Sequence, residues 1–239
     1  MQVGPKPATA AKKPTPSSEP AAVATEKPLV LFDGKTLDGW KATKFGGEGQ
    51  VATREGQLVL EMGVDLTGIT WQNKDVLPKS NYEVSLDAMR VDGNDFFCGL
   101  TFPVKDDPCS LIVGGWGGGV CGLSSLNGMD ASENETTTYQ TFEKGRWYHI
   151  RLRVTDTHIS AWIDKKEIVD QDITGREISI RSEVDLSRPF GISSWQTTAA
   201  LKNIEIRKLS DADLKQDAQA RAAAEKAKDE AIRREIQND

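Results

Sequence analysis

Cysteine and histidine are scarce: three Cys (Cys98, Cys109, Cys121) and two His (His149, His158) in 239 residues. That supply excludes a zinc-finger module, a disulfide framework and a His-rich metal centre. Long hydrophobic runs are missing too. Uncharged apolar stretches reach about five residues, against the ~20 that a membrane-spanning helix needs, so no transmembrane segment is expected. Basic residues are outnumbered, 30 Lys and Arg against 36 Asp and Glu, for a net charge of -6. A nucleic-acid or anionic-membrane partner needs clustered cations and is not expected. There is no P-loop, no Gly-x-Ser-x-Gly elbow and no dinucleotide fingerprint, which leaves kinase, serine-esterase and dehydrogenase readings unsupported. The opening Met1-Gln-Val-Gly lacks a charged n-region followed by an apolar run, so no secretory signal is read there.

What is present falls into three segments. Residues 1–28 hold six of the ten prolines among Ala, Lys, Ser and Thr. Such a chain has little to bury and reads as a disordered, extended linker of the kind that tethers an extracytoplasmic domain. Residues 211–239 are dominated by Ala, Lys, Glu, Asp, Gln and Arg, with no Gly or Pro, so propensity predicts a helix. Ser210 followed by Asp213 is its weak capping box. With little apolar beyond Leu214, Ile232 and Ile236, the helix is expected to be a solvated tail or a surface for another protein.

Residues 29–210 alternate with period two. Tyr82, Val84, Leu86 and Ala88 alternate with polar neighbours, as do Tyr148, Ile150, Leu152 and Val154. Alternation of this kind marks strands with one buried face. Similar runs occur near 29–32, 57–62, 68–72, 96–104, 109–113, 137–142, 158–164, 177–181, 190–195 and 200–208. The body is therefore all-β, about a dozen strands in a two-sheet sandwich.

Two hairpins are predicted to the residue. With Thr155–His158 as the loop, Ile150 faces Ile163 and Leu152 faces Ala161, while the other face pairs His149 with Asp164 and Arg151 with Trp162. In the second, a turn centred on Gly115 sets Cys109 opposite Cys121, a cross-strand disulfide if the compartment is oxidising. Cys98 reads as a buried core thiol.

Several segments are similar to one family. Leu31–Trp40 (LFDGKTLDGW) resembles the opening signature of the 3-keto-disaccharide hydrolase family. Tyr82–Val91, Gly93–Leu100, Gly145–Arg153 with Ile159–Asp164, Pro189–Trp195 and Leu201–Arg207 resemble its later strands in order. The resemblance implies a concanavalin-like jelly roll whose concave sheet holds sugar; no resident cofactor is expected. It also implies cleavage of glycosides whose C3 hydroxyl has become a ketone. A base removes the acidified C2 proton, the C1 group leaves and water adds, which takes a base, an electrophile at the ketone oxygen and an acid. It places the family's strand acid at Asp87; an acid of the 92–95 loop, Asp95, is the second catalytic candidate. The chain departs from the family at five positions, the first being Pro103, where the family carries Arg. Its Glu and Gln fall at Ser110 and Ile112, and its later Gln and His at Ser193 and Trp195.

Trp71, Trp116 and Trp195 are candidate sugar platforms, since the apolar face of a pyranose stacks on indole; packing in the core or a hairpin is the competing reading for each. Asp92, Asn94 and Asp95 offer oxygen ligands for Ca²⁺, against the simpler reading of a turn. Asn134-Glu-Thr136 is a formal glycosylation sequon. Three readings follow: a hydrolase or lyase of 3-keto-glycosides using Asp87 and Asp95; a non-catalytic sugar-binding jelly roll using the tryptophans with Ser110 and Ser193; and a protein-interaction module. The expected location is periplasmic, secreted or cell-surface.

Overall fold

The computed structural model describes residues 27–238, so most of the proline-rich arm lies outside the described residues. The first strands are β1 (Leu29–Val30), β2 (Trp40–Ala42), β3 (Val51–Arg54), β4 (Gln57–Leu60) and β5 (Leu66–Trp71). Next come β6 (Tyr82–Gly93), β7 (Cys98–Val104), β8 (Asp107–Gly115), β9 (Val120–Ser124) and β10 (Thr138–Tyr139). The series closes with β11 (Trp147–Val154), β12 (His158–Ile163), β13 (Lys166–Asp172), β14 (Gly191–Trp195) and β15 (Thr197–Lys208). A single helix, α1 (Asp211–Asn238), follows them.

These strands form two antiparallel sheets packed face to face. One has the order β13-β12-β11-β6-β15-β4-β3, with β1 added on β15; the other runs β10-β9-β8-β7-β14-β5-β2. Alternation explains the core. Along β6 and β11, Val84, Leu86, Ala88, Tyr148, Ile150, Leu152 and Val154 are fully buried. From the facing sheet they meet Phe97, Leu100, Phe102, Leu111 and Ile192, each buried side chain worth roughly 1.5–3 kcal/mol. Tyr82 ties the sheets together: its hydroxyl donates to the Pro103 carbonyl at 2.5 Å.

The β11–β12 hairpin has the predicted register, with Ile150 opposite Ile163 and Leu152 opposite Ala161. Arg151 lies 3.9 Å over the Trp162 ring. His149 departs from expectation. Its ring meets Asp87 on the neighbouring strand at 2.8 Å, because Asp164 sits at a positive φ of 55° and turns its carboxylate to the His149 amide and to Arg146. The Gly-rich hairpin is also set differently. Val113 pairs with Cys121 and Phe102 with Cys109, so the two cysteines are not opposite one another. Cys98, Cys109 and Cys121 are all free and buried. Residues 177–181 form no strand, contributing only a bridge from Ile178 to Leu126. In contrast β2, β3 and β13 are strands beyond the predicted runs, and β9 is the return strand of the predicted Gly-rich hairpin, beginning later than expected. Asn134 is buried, its amide donating to three carbonyls, so the sequon serves loop structure.

The opening signature is a packing module. Asp33 accepts the amides of Lys35 and Thr36, Trp40 Nε1 donates to the Leu31 carbonyl at 2.7 Å, and Leu31, Phe32 and Trp40 are core residues. Gly39, at φ 80°, lies directly under the Trp71 ring, where any Cβ would collide.

The helix is not wholly solvated. Ser210 and Asp213 form a full capping box, and the first turns dock on the outer face of the eight-stranded sheet through charge. Arg153 bonds Asp217 at 2.7 Å and Glu83 at 2.7 Å, Arg207 bridges Glu83 and Asp213, and Arg221 closes on Asp217. Docking thus needs no apolar stripe.

Candidate functional site: a trough on the seven-stranded sheet

The outer face of the seven-stranded sheet carries small residues where alternation points outward: Gly68 on β5, Gly99 and Thr101 on β7, Ser110 on β8, Ser124 on β9 and Ser193 on β14. Small side chains leave the surface low. The Phe96 ring lies across Gly99, where an added Cβ would come within 2.9 Å of it. Above this floor is a trough of about 220 Å³, walled by Phe96, Trp116, Trp195, Leu66, Ile112 and Val184. Its polar lining is Asp95, Ser110, Ser124, Arg181 and Glu183.

The Trp116 wall is built by Arg90. Period two along β6 carries Tyr82, Val84, Leu86 and Ala88 inward and then puts Arg90 on the same face, 5% exposed. Its guanidinium donates to the carbonyls of Asp95 (3.1 Å), Gly114 (3.0 Å) and Gly118 (2.9 Å). It also lies 5.1 Å over the Phe97 ring and 5.7 Å over Phe142. Burial lowers its pKa, and the carbonyls and ring faces replace water around the charge. The turn it gathers is left-handed, with Gly114 at φ 79°, Trp116 at 47°, Gly117 at 84° and Gly118 at 115°, a run that requires glycine. Asp95 completes the staple, one carboxylate oxygen accepting the Phe96 amide at 2.8 Å and the other the Gly117 amide at 3.0 Å. Trp116 is left 44% exposed.

The opposite rim is an ion-pair group. Arg181 donates to Asp130 at 2.6 Å and to Glu183 at 2.7 Å. The Arg181 bond is the main reason the Glu183 carboxyl is held below its usual value. Asp130 is also lowered: burial acts to raise it, but Ser132 and Arg181 outweigh that. Val184, in the 3-10 turn Ser182–Ser187, presses into the trough between these groups and the floor.

The sequence candidates divide between sites. Asp95, Trp116, Trp195 and Ser110 line the trough, and Ser193 lies in its floor beside Gly68 and Gly99. Trp71 does not reach it. That ring is core, edge-on to Trp40 at 5.1 Å, with Nε1 donating to the Asn73 carbonyl at 2.9 Å. Asp87 lies on the outer face of the other sheet, bonded to His149 and, at 2.6 Å, to the Asn203 amide. It therefore does not face the trough with Asp95, which sits in the β6–β7 connection, because the hydrophobic core lies between them. Asp92 turns away to Lys144 at 2.9 Å while Asp95 turns to Gly117. Among the described residues no group of three or more His, Cys, Asp or Glu is placed to hold a metal. Arg90, Ser124, Arg181, Glu183 and Val184 were not singled out by sequence. A charge at an inward position of an alternating strand was a usable signal for Arg90.

The two antiparallel layers and the aromatic-walled trough define a jelly-roll domain of the carbohydrate-active kind. The chain belongs to the 3-keto-alpha-glucoside-1,2-lyase-like domain family, whose model matches residues 27–207. In fold it is similar to the carbohydrate-binding module CBM66 from Bacillus subtilis, at 15% identity and a TM-score of 0.50, covering 71% of this chain and 96% of that one. It is also similar to a Bacillus subtilis protein of unknown function with a galectin-like fold, at 12% identity and a TM-score of 0.52, covering 72% and 90%. No curated protein sequence matches the chain. No helix among the described residues is long and apolar enough to cross a membrane.

Proposed function

We propose that the domain recognises a glycoside in this trough, with the apolar face of a pyranose stacked between Trp116 and Trp195 and its polar edge on Asp95, Arg181 and Glu183. The observation that carries the reading is that the two tryptophans and Asp95 converge on one trough. Family membership favours 3-keto-glycosides as the ligand class. Stacking on indole uses ring C–H groups, while the few charged groups at the rim fix orientation.

Cleavage of a 3-keto-glycoside is the second reading, favoured by two carboxylates and a guanidinium in the same trough. Asp95 or Glu183 would take the C2 proton and Arg181 would hold the ketone oxygen as it gains charge. Recognition ranks first for a chemical reason. Expelling the C1 group calls for a proton donor that works near neutral pH. Neither histidine lines the trough, and Arg181 keeps Glu183 ionised. The positions aligned with the family's Glu, Gln, Gln and His are Ser110, Ile112, Ser193 and Trp195, all on this face.

Incubating the protein with a 3-keto-disaccharide separates the readings. Saturable quenching of tryptophan emission without product supports recognition; product above background supports cleavage; neither signal removes both. An extracytoplasmic location is part of the proposal, supported by the proline-rich arm and a glycan ligand, and fractionation of the source cells tests it.

A further inference from the structure

The trough has an apolar interior with two hydroxyls unpartnered among the described residues, Ser193 Oγ in the floor beside Gly68 and Gly99 and Ser124 Oγ among the lining residues. Ser110 and Ser124 are paired across β8 and β9. Ser110 shares its hydroxyl with Thr101 at 2.9 Å, but Ser124 Oγ has no hydrogen-bond partner among the described residues, although Ser124 is only 2% exposed. It lines the trough together with Ile112, Phe96 and Val184. A buried polar atom without a partner is costly, and a ligand that supplies one recovers that cost. The charged groups, Asp95, Arg181 and Glu183, are already engaged with backbone amides or with one another. A fully hydroxylated sugar edge pushed into this interior would leave several hydroxyls unpaired. A substituent with a methyl group and a single carbonyl oxygen fits better: the methyl meets Ile112 and Val184, and the carbonyl accepts from Ser124 Oγ.

We infer that the ligand is an acylated glycoside, and that Ser124 with Ile112 and Val184 forms the acyl-recognition end of the trough. This rests on the glycoside-binding reading above and specifies its ligand. An acyl group reaches a sugar as an amide or as an ester, so both are tested. Tryptophan-emission titrations compare methyl glucoside with its 2-acetamido-2-deoxy and its O-acetyl counterparts. At least one acylated probe should bind about tenfold more tightly, the scale of one hydrogen bond and one buried methyl. In Ser124→Ala, checked for an unchanged melting temperature, the ratio of acylated to plain affinities should fall toward one. Val184→Ser, in a surface turn rather than a strand, should lower the same ratio. Equal wild-type affinities for all three probes would leave glycoside binding in place and overturn acyl recognition. A preference that survives both substitutions overturns the assignment to these residues. No binding by any of the three probes overturns acyl recognition and leaves the glycoside reading standing if the 3-keto-disaccharide still quenches tryptophan emission; no response to the 3-keto-disaccharide either removes both.

Discussion

Arg90 donates to the Asp95 carbonyl from one side while the Asp95 carboxylate accepts the Gly117 amide on the other. A buried cation and a rim anion thereby hold one loop, and that loop presents Trp116. The wall of the trough is thus fixed from inside the core.

Arg90→Met should disturb that wall. The carbonyls of Asp95, Gly114 and Gly118 would lose their donor, each at about 1–3 kcal/mol where it stays dry. Glycoside affinity should fall, and tryptophan emission should shift red as Trp116 is released. Arg90→Lys should restore stability only in part, since one ammonium cannot span the three carbonyls as a planar fork does. Unchanged affinity in Arg90→Met would show that the turn holds itself.

Trp116→Ala and Trp71→Ala should separate surface from core. The first should weaken glycoside binding about tenfold at nearly constant melting temperature, because the ring is exposed at the trough rim. The second removes a ring packed on Trp40 and Gly39 and should cost about 3–5 kcal/mol of stability. Denaturant titration and binding measured on both variants check the contrast.

Helix docking should be acid-sensitive. Burial acts to raise the Asp213 carboxyl, but the Ser210 amide and hydroxyl and Arg207 outweigh it and hold the group below its ordinary value. A depressed carboxylate contributes stability above its unfolded pKa, near ~3.9, and that contribution disappears as pH falls through the lower folded value. Helical circular dichroism should therefore drop below about pH 4, and Asp213→Asn should flatten the dependence. A wild-type signal level to well below that range would contradict the ionic docking.

The three thiols should be silent in the native protein. Burial pushes Cys98 and Cys109 up to about 12 and Cys121 to about 11, so almost no thiolate exists at neutral pH. A thiol reagent should find none in the folded chain and three after unfolding without reductant. Two missing equivalents would reveal a disulfide.

Much of the architecture was readable in the chain because side-chain alternation is a local property. Leu86 and Ile150 announce their buried faces through their own neighbours, and the Ile150–Ile163 register follows from loop length. The short strands β2 and β3 escaped because each has too few residues for a period to show. The Gly-rich turn was misplaced because left-handed Gly114 inserts a register shift before Gly115, and left-handed Trp116, Gly117 and Gly118 carry the connection on to Val120.

The candidate site was legible only in part. Trp116 stood out among glycines, and Trp195 and Ser193 through the family resemblance, yet Trp71 carries the same indole into the core and Asp87 the same carboxylate onto the outer face of the other sheet. Sequence alone settled the alternating pattern, the scarcity of metal ligands and the helix-forming tail, all consequences of composition and near-neighbour spacing. Which face each strand turns to solvent, and which distant residues meet there, was decided by how two sheets stack about a common core. That is why Asp95, Ser124 and Glu183, far apart along the chain, surround one trough, while Asp87, only eight positions before Asp95, stands on the far side of the molecule.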